Sequence, residues 1–281
     1  MTILRADTME TAHDYASSLF FDLPFDTQLA RQFITDLAAV YHRHTVYSAS
    51  LSIVLPALLP MVCTVPVDPS LSPTDRRRHL EWECRMLGGF SSDLPLHILS
   101  HDLTPTPSAV PVLAVALPAA LVHFLTATCE HLTLDLHSIE IDQFVMEQLV
   151  RRQYPHETAG EFAVIGLHAT HCSAGRYTGE RYYGCRMSAV TYRQQYPAQA
   201  VRLLESMPKP SGTAATRQVF LFGGAAEDHI VDACEKILRC PVFRCIPLAD
   251  AVIPENIQRN FRGSGERIFD GAAAAAILGL P

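Results

Sequence analysis

The densest group of metal-ligand side chains in the sequence is His168, His171 and Cys172. Imidazole and thiolate groups are typical ligands of zinc and other transition metals. If this segment is a strand, positions 168 and 171 point to opposite faces, and no second ligand pair follows at a zinc-like spacing. The sequence therefore predicts no metal site here. Three further cysteines on a helix and the next strand are predicted to be buried core thiols: Cys234, Cys240 and Cys245.

Nucleophilic catalysis has no motif in this sequence. The 13 histidines can be combined with serines and aspartates in many ways, but neither a G-x-S-x-G elbow nor a catalytic-cysteine context occurs. Nucleic-acid binding is also unsupported, because the formal net charge is −7 and the longest basic cluster, residues 76–78, is short and lies on a predicted helix. We expect neither a hydrolase nor a nucleic-acid-binding protein.

Three features bear on the compartment. The N-terminal residues mix acidic side chains with a histidine and lack the basic start and apolar stretch of a signal peptide. The longest apolar stretch, residues 110–125, is interrupted by Pro111, Pro118 and His123 and falls short of the roughly 20 residues of a membrane span. Eight cysteines without a CxxC pair indicate reduced thiols. The sequence predicts a cytoplasmic protein without a membrane span.

The elements that position these residues follow from apolar spacing and from the placement of proline and glycine. For example, Ser72 before Pro73 predicts an N-cap and helix start, and Gly88-Gly89 predicts the end of that helix. The elements predicted up to residue 153 are helix 27–43, strands 48–56 and 61–67, helix 73–87, strands 95–103 and 110–118, helix 119–131, strand 132–142 and helix 143–153.

A turn-rich stretch, residues 155–160, is the best candidate for a domain boundary. Beyond it, residues 161–190 predict a meander of short strands. The elements predicted after the meander are helix 192–207, strand 218–224, helix 227–238, strand 240–248 and helix 270–280. Strands interspersed with helices in this way, with 48% hydrophobic residues, indicate a globular α/β protein.

This ordered set of segments resembles the type IV pilus assembly PilM family, which is related to the cell-division protein FtsA within the actin superfold. The family's strand that ends in "ALP" and its "WE" helix are matched by Leu55-Pro56 and Trp82-Glu83. Residues 132–144 are similar to the family's return strand, which ends in isoleucine and aspartate. Residues 219–243 are similar to its Gly-Gly-Ala loop, the following helix and a Pro-Val pair. The resemblance extends over residues 51–281.

The resemblance implies an actin-like (ribonuclease H-like) α/β fold. The first lobe would comprise residues 1–156 and carry an inserted strand-helix-strand-strand subdomain at about residues 60–133, which contacts other proteins in the family. The second lobe would comprise residues 157–281. Most of its outer subdomain is expected to be missing, because only one helix and a loop fit between Ser188 and Arg217.

The resemblance also implies where a nucleotide would bind. Actin-like ATPases hold phosphates in two hairpin turns, each with an aspartate that orients Mg²⁺-bound water. No glycine occurs before Gly88, so the first turn is expected to be absent. The second turn retains Gly166 and Thr170, but Val164 occupies the aspartate position and cannot bind a metal-bound water. The adenosine loop is retained as Gly223, Gly224 and Ala225.

We therefore expect no catalytic residue and no cofactor. The predicted function is a non-catalytic actin-fold scaffold of a type IV pilus or type II secretion-like assembly. The resemblance implies that the partner is the cytoplasmic segment of an inner-membrane protein, bound in a groove near the inserted subdomain, and that this partner holds the chain at the membrane. Self-association is left open. The alternative is an ATP-binding switch of the PilM/FtsA type that uses ATP and magnesium. A sugar or acetate kinase would need the same phosphate turns, so that class is disfavoured.

Overall fold

The structure is a computed structural model that describes residue 15 and residues 25–43, 50–103, 109–179, 181–208, 216–247 and 270–278. The helices and strands are α1 Thr27–Arg43, β1 Ser50–Leu55, β2 Met61–Val67, α2 Pro73–Gly88, β3 Leu96–Asp102, β4 Val110–Pro118, α3 Ala119–His131, β5 Asp135–Ile141, α4 Asp142–Gln153, β6 Glu161–Leu167, β7 His171–Thr178, β8 Arg181–Ala189, α5 Tyr196–Glu205, β9 Gln218–Phe222, α6 Asp228–Leu238, β10 Val242–Arg244 and α7 Asp270–Leu278. Within these ranges, no helix combines the length and the apolar character needed to cross a membrane.

Strands β1 and β5 form a parallel pair that organises the part of the chain before residue 157. At their C-terminal ends, Leu55 pairs with Ile141. Helices α1 and α3 pack with these strands around a core that includes Leu29, Phe33 and Leu125. Because parallel strands end at the same edge of a sheet, the turn after β1 and the start of α4 lie side by side.

A separate antiparallel sheet, in the order β2-β4-β3, lies between β1 and β5 in sequence. Helix α2 covers this sheet and buries Leu80 and Cys84 against Val65 and Val112. The predicted cap of α2 is confirmed, because the Ser72 hydroxyl accepts a hydrogen bond from the backbone of Asp75 at 3.2 Å. Strand, helix, strand and strand follow one another here as the sequence predicts.

A five-stranded sheet in the order β10-β9-β6-β7-β8 dominates the rest of the structure. Strand β6 is central, parallel to β9 and antiparallel to β7. Its residues alternate between two cores: Phe162 and Val164 pack towards α4, while Ile165 and Leu167 pack towards α5 and α6. Every residue of β6 is buried, since helices cover both faces of the sheet.

Helix α7 returns to the beginning of the fold. It packs against α4 and β1. Ala274 belongs to the same core as Val145 and Phe162, and a side chain at Gly271 would approach Val54 to 3.2 Å. The core that includes Val145 and Phe162 therefore spans the turn at residues 155–160.

Several sequence expectations need adjustment. The strand predicted over residues 132–142 begins at Asp135, and the strand predicted over residues 240–248 is assigned only from Val242 to Arg244. The helix predicted over residues 192–207 is α-helical only from Tyr196 to Glu205, since a 3-10 turn precedes it and Pro197 occupies its first turn. Of the predicted core thiols, Cys234 and Cys245 are buried and Cys240 is partly buried. All eight cysteines are free thiols.

Candidate functional site

The hairpin between β6 and β7 and the glycine loop after β9 lie next to each other. The hairpin is closed by a hydrogen bond that the backbone N–H of His168 donates to the His171 carbonyl oxygen at 3.0 Å. The loop is joined to it because Ala225 donates a backbone hydrogen bond to the Leu167 carbonyl at 3.0 Å. The structure thus brings together the two segments that the sequence selected as candidate nucleotide-binding residues.

The residues of the glycine loop have different surroundings. Gly223 has a φ of +93°, and a Cβ there would lie 2.5 Å from the Leu167 carbonyl oxygen, so only glycine fits. Gly224 is exposed and a Cβ would meet nothing within 4 Å. Ala225 is buried in the core beneath the loop. Packing against β6 is thus sufficient to explain Gly223, whereas Gly224 faces open space.

Gly166 and Thr170, the hairpin residues of the predicted site, also differ. Thr170 is exposed at the turn. Gly166 is buried, and a Cβ there would lie 2.5 Å from the Ser173 hydroxyl oxygen, 2.7 Å from the Phe222 ring and 2.8 Å from His168 Nε2. The imidazole of His168 therefore occupies the space directly above Gly166.

Val164, which stands where the family pattern has an aspartate, is fully buried in the core beneath α4. Its carbonyl oxygen accepts a hydrogen bond from Gln143 Nε2 at 3.0 Å. Gln143 Oε1 in turn accepts a hydrogen bond from the Ser173 hydroxyl at 2.7 Å. This strand position carries an apolar side chain tied into a buried polar network, and it offers no carboxylate.

Asp142 places a carboxylate beside the hairpin turn, and the sequence did not predict it as a site residue. It is 5% exposed at the junction of β5 and α4. Its Oδ1 accepts backbone hydrogen bonds from Ala57 at 2.9 Å and from Gln143 at 2.6 Å. Burial raises the pKa of Asp142 to about 7, against the opposing effect of these two hydrogen bonds. An aspartate at the C-terminal end of a parallel strand was the signal that could have found it.

His168 and His171 stack face to face, with ring centroids 4.3 Å apart and an interplanar angle of 14°. The expectation that they point to opposite faces is wrong, because β6 ends at Leu167 and His168 already belongs to the turn. Strand alternation does not apply across a hairpin turn. Cys172, the third member of the group in sequence, packs into the core on the side of α5 and α6.

The two imidazoles approach Asp142. His168 Nε2 lies 3.2 Å from Asp142 Oδ2. Burial lowers the pKa of His168 to about 3, with a smaller contribution from His171, and burial also lowers the pKa of His171. Both rings are therefore neutral at physiological pH. Neither His168 Nε2 nor His171 Nε2 has a hydrogen-bond partner, although both atoms are buried.

A separate groove runs beside the inserted sheet. It has a volume of about 880 Å³ and is lined mainly by apolar residues of the turn after β1, the loop after α2 and the start of α3, with Met187 of β8 on the far side. Its loop is held by Arg85, whose Nη1 donates to the carbonyls of Ser91 and Leu94, both at 2.7 Å. The groove wall is thus fixed by side chain to backbone hydrogen bonds.

Comparison with known proteins places the chain in the actin-like fold class. No family model matches the sequence, and no curated protein matches it. A solved structure of the PilM–PilN type IV pilus biogenesis complex is similar, with a TM-score of 0.70, 13% identity, and coverage of 91% of this chain and 86% of that chain. An actin-like ATPase-fold protein of unknown function from Bacteroides thetaiotaomicron has a TM-score of 0.50 and 6% identity over 86% of this chain and 80% of that chain.

A third similar structure is the cytoplasmic domain of EpsL, an inner-membrane component of the type II secretion system of Vibrio cholerae. Its TM-score is 0.37, with 12% identity over 68% of this chain and 66% of that chain, which is too low to establish a common architecture. The expectation of an actin-like α/β fold is confirmed by the two more similar structures.

Proposed function

We propose that this protein is a non-catalytic actin-fold scaffold of a type IV pilus or type II secretion-like assembly, and that it binds the cytoplasmic tail of an inner-membrane partner. The observation that carries the proposal is the fold similarity to the PilM–PilN complex over 91% of the chain, together with an apolar groove beside the inserted sheet. A cytoplasmic location next to the inner membrane follows from such a partner.

The absence of catalysis is supported by the chemistry of the hairpin. An actin-like ATPase orients a metal-bound water with an aspartate on the second phosphate strand. Here the corresponding residue, Val164, is buried and apolar. In addition, the His168 ring covers Gly166, the residue whose backbone would face a phosphate. Both features favour a pseudo-ATPase.

The partner is favoured by shape and charge. The groove is open, mainly apolar and long enough to contact residues on three elements of the chain. Cytoplasmic segments next to a membrane span are enriched in lysine and arginine. The net charge of −7 on this chain, with Asp93 at the groove, is complementary to such a segment.

The test uses synthetic peptides with the cytoplasmic tails of the single-span membrane proteins encoded beside this gene. We expect one peptide to bind saturably in a fluorescence anisotropy titration. Leu58→Glu and Leu94→Glu, which place a charge on the groove wall, should weaken binding at least about tenfold. The matched control is Leu99→Glu, since Leu99 is 62% exposed on β3 and lies outside the groove lining. Lack of binding by every peptide would contradict the proposal.

The ATP-binding switch remains the second candidate because of one observation. Gly224 is exposed with open space above it, and Thr170 is exposed at the neighbouring turn. A nucleotide resting on this loop would have access to both residues. Thermal stability with and without Mg-ATP separates the two candidates.

A further inference from the structure

Donor atoms of three side chains converge at the end of the β6–β7 hairpin, at a point that the scaffold role does not explain. They are a carboxylate oxygen of Asp142 and imidazole nitrogens of His168 and His171, and all lie within 4.8 Å of one another. We propose that Asp142, His168 and His171 form a binding site for a divalent transition-metal ion, with Zn²⁺ as the best match. This proposal is independent of the scaffold role.

The ligand types select the class of metal. Two imidazole nitrogens and one carboxylate oxygen form a common ligand set for zinc and for other first-row transition metals. Magnesium and calcium prefer sites made of oxygen ligands, so this set discriminates against the magnesium of a nucleotide complex. Three protein ligands also leave at least one coordination position for water or an external ligand.

The distances fit a single ion. Bond lengths of about 2.0 to 2.1 Å in a tetrahedral zinc site place neighbouring donor atoms roughly 3.4 Å apart. Asp142 Oδ2 and His168 Nε2 are 3.2 Å apart, close to that spacing. The third donor, an imidazole nitrogen of His171, lies within 4.8 Å of the other two. Because a metal ion lies in the plane of each imidazole that binds it, one of the two stacked rings has to rotate when the ion binds.

The buried nitrogens lack any other partner. His171 is 4% exposed, yet its Nε2 makes no hydrogen bond, and the same holds for Nε2 of His168. Buried polar atoms in native proteins are almost always paired. His168 Nε2 lies 3.2 Å from Asp142 Oδ2, so the atom that most needs a ligand is His171 Nε2. A metal ion shared by the three side chains supplies one.

The surroundings orient the ligands and leave a way in. Asp142 Oδ1 is held by backbone N–H groups of Ala57 and Gln143, which leaves Oδ2 free to face the histidines. Tyr196 donates its hydroxyl proton to the His168 carbonyl and fixes the turn. The His168 side chain retains 22% exposure, so part of this ring reaches the surface at the hairpin turn although its Nε2 atom is buried.

The experiment titrates the chelator-stripped, fully reduced full-length protein with Co²⁺ and with Zn²⁺. We expect one ion per chain, a rise in Tm on addition of Zn²⁺, and a Co²⁺ spectrum without a thiolate-to-cobalt charge-transfer band. The spectrum matters because the chain has eight cysteines that are free to bind metals. Asp142→Asn and His171→Phe should each weaken binding at least about tenfold.

Two variants guard against misfolding as the explanation. Asparagine at position 142 retains an oxygen for the two backbone donors, and phenylalanine at position 171 retains the stacked ring. The control is His97→Ala, because His97 is exposed on β3, in the separate inserted sheet. The proposal is overturned if no ion binds, if binding is unchanged in both site variants, or if the spectrum shows thiolate ligands.

Discussion

Gln143 Nε2 donates a hydrogen bond to the carbonyl oxygen of Val164 at 3.0 Å, and this bond joins helix α4 to the central strand β6. Because Gln143 is fully buried, its amide oxygen also needs a hydrogen-bond partner, and it accepts a hydrogen bond from the Ser173 hydroxyl. Gln143→Met keeps the volume and removes both bonds. We expect a loss of about 2 to 3 kcal/mol in the free energy of unfolding, measured by urea denaturation, since Ser173 is left without its acceptor.

A matched change elsewhere tests that prediction. Gln32→Met, on the exposed face of α1, should change stability by no more than about 0.5 kcal/mol. Combining Gln143→Met with Ser173→Ala should cost less than the sum of the two single changes, because both remove the same bond. Strict additivity would mean that the two side chains do not interact.

Two of the three glycines of the candidate site, Gly166 and Gly224, should respond differently to alanine. At Gly166 the added methyl group meets Ser173, Phe222 and His168 at 2.5 to 2.8 Å, so Gly166→Ala is expected to lower stability by about 1 to 3 kcal/mol. At Gly224 the methyl group meets nothing, so Gly224→Ala should be neutral within about 0.5 kcal/mol. Thermal denaturation measures both. Equal effects would show that the His168 ring does not lie above Gly166.

Removing one partner of a buried ion pair should destabilise the protein more than removing both partners. Arg176 Nε and Glu161 Oε1 are 3.7 Å apart, with side chains 4% and 3% exposed, and the Thr216 hydroxyl donates to the same carboxylate oxygen at 3.2 Å. Arg176→Met leaves a buried carboxylate without its cation and should cost about 3 to 5 kcal/mol. The double variant with Glu161→Gln should recover part of that loss. No recovery in a double-mutant cycle would contradict a direct interaction.

Mg-ATP should leave the thermal transition unchanged. A ligand at about 100 times its Kd stabilises a folded protein by about 2.7 kcal/mol, which would raise Tm by several degrees in a protein of this size. Val164 removes the metal-water anchor from the second phosphate strand, so we expect no shift relative to Mg²⁺ alone. A Mg²⁺-dependent shift that Gly224→Val abolishes would support the ATP-binding switch instead. That variant is suitable because position 224 has room for a side chain.

The sequence predicted several helix bounds accurately. The bounds of α1 and α3 were predicted to the residue, because their apolar spacing is helical and prolines or polar turns delimit them. The start of α2 followed from Ser72 and Pro73. The meander was also predicted correctly, because its short strands are separated by turn residues. The actin-like fold could also be predicted, because the order of the segments resembles the family although no single motif is specific.

The candidate metal site was not accessible in the same way. It requires Asp142 at the end of β5 and His168 in a turn beyond β6, and these lie together only because the parallel pairs β1–β5 and β6–β9 end at the same side of the fold. The pattern rule that separated His168 from His171 assumes a continuous strand. Because β6 ends at Leu167, one residue before His168, the rule does not apply, and only the tertiary structure reveals the stacking of His168 on His171.

The position of α7 has a consequence for biosynthesis. This helix packs against α4 and β1. Among the described elements it is the last to be synthesised, so β1 gains this contact only at the end of translation. Until then, the part of α4 that contacts α7 is uncovered in the nascent chain. The closing step therefore occurs after the body of the chain has left the ribosome. Premature termination before residue 270 would yield a product marked for chaperone binding or proteolysis rather than a smaller stable domain.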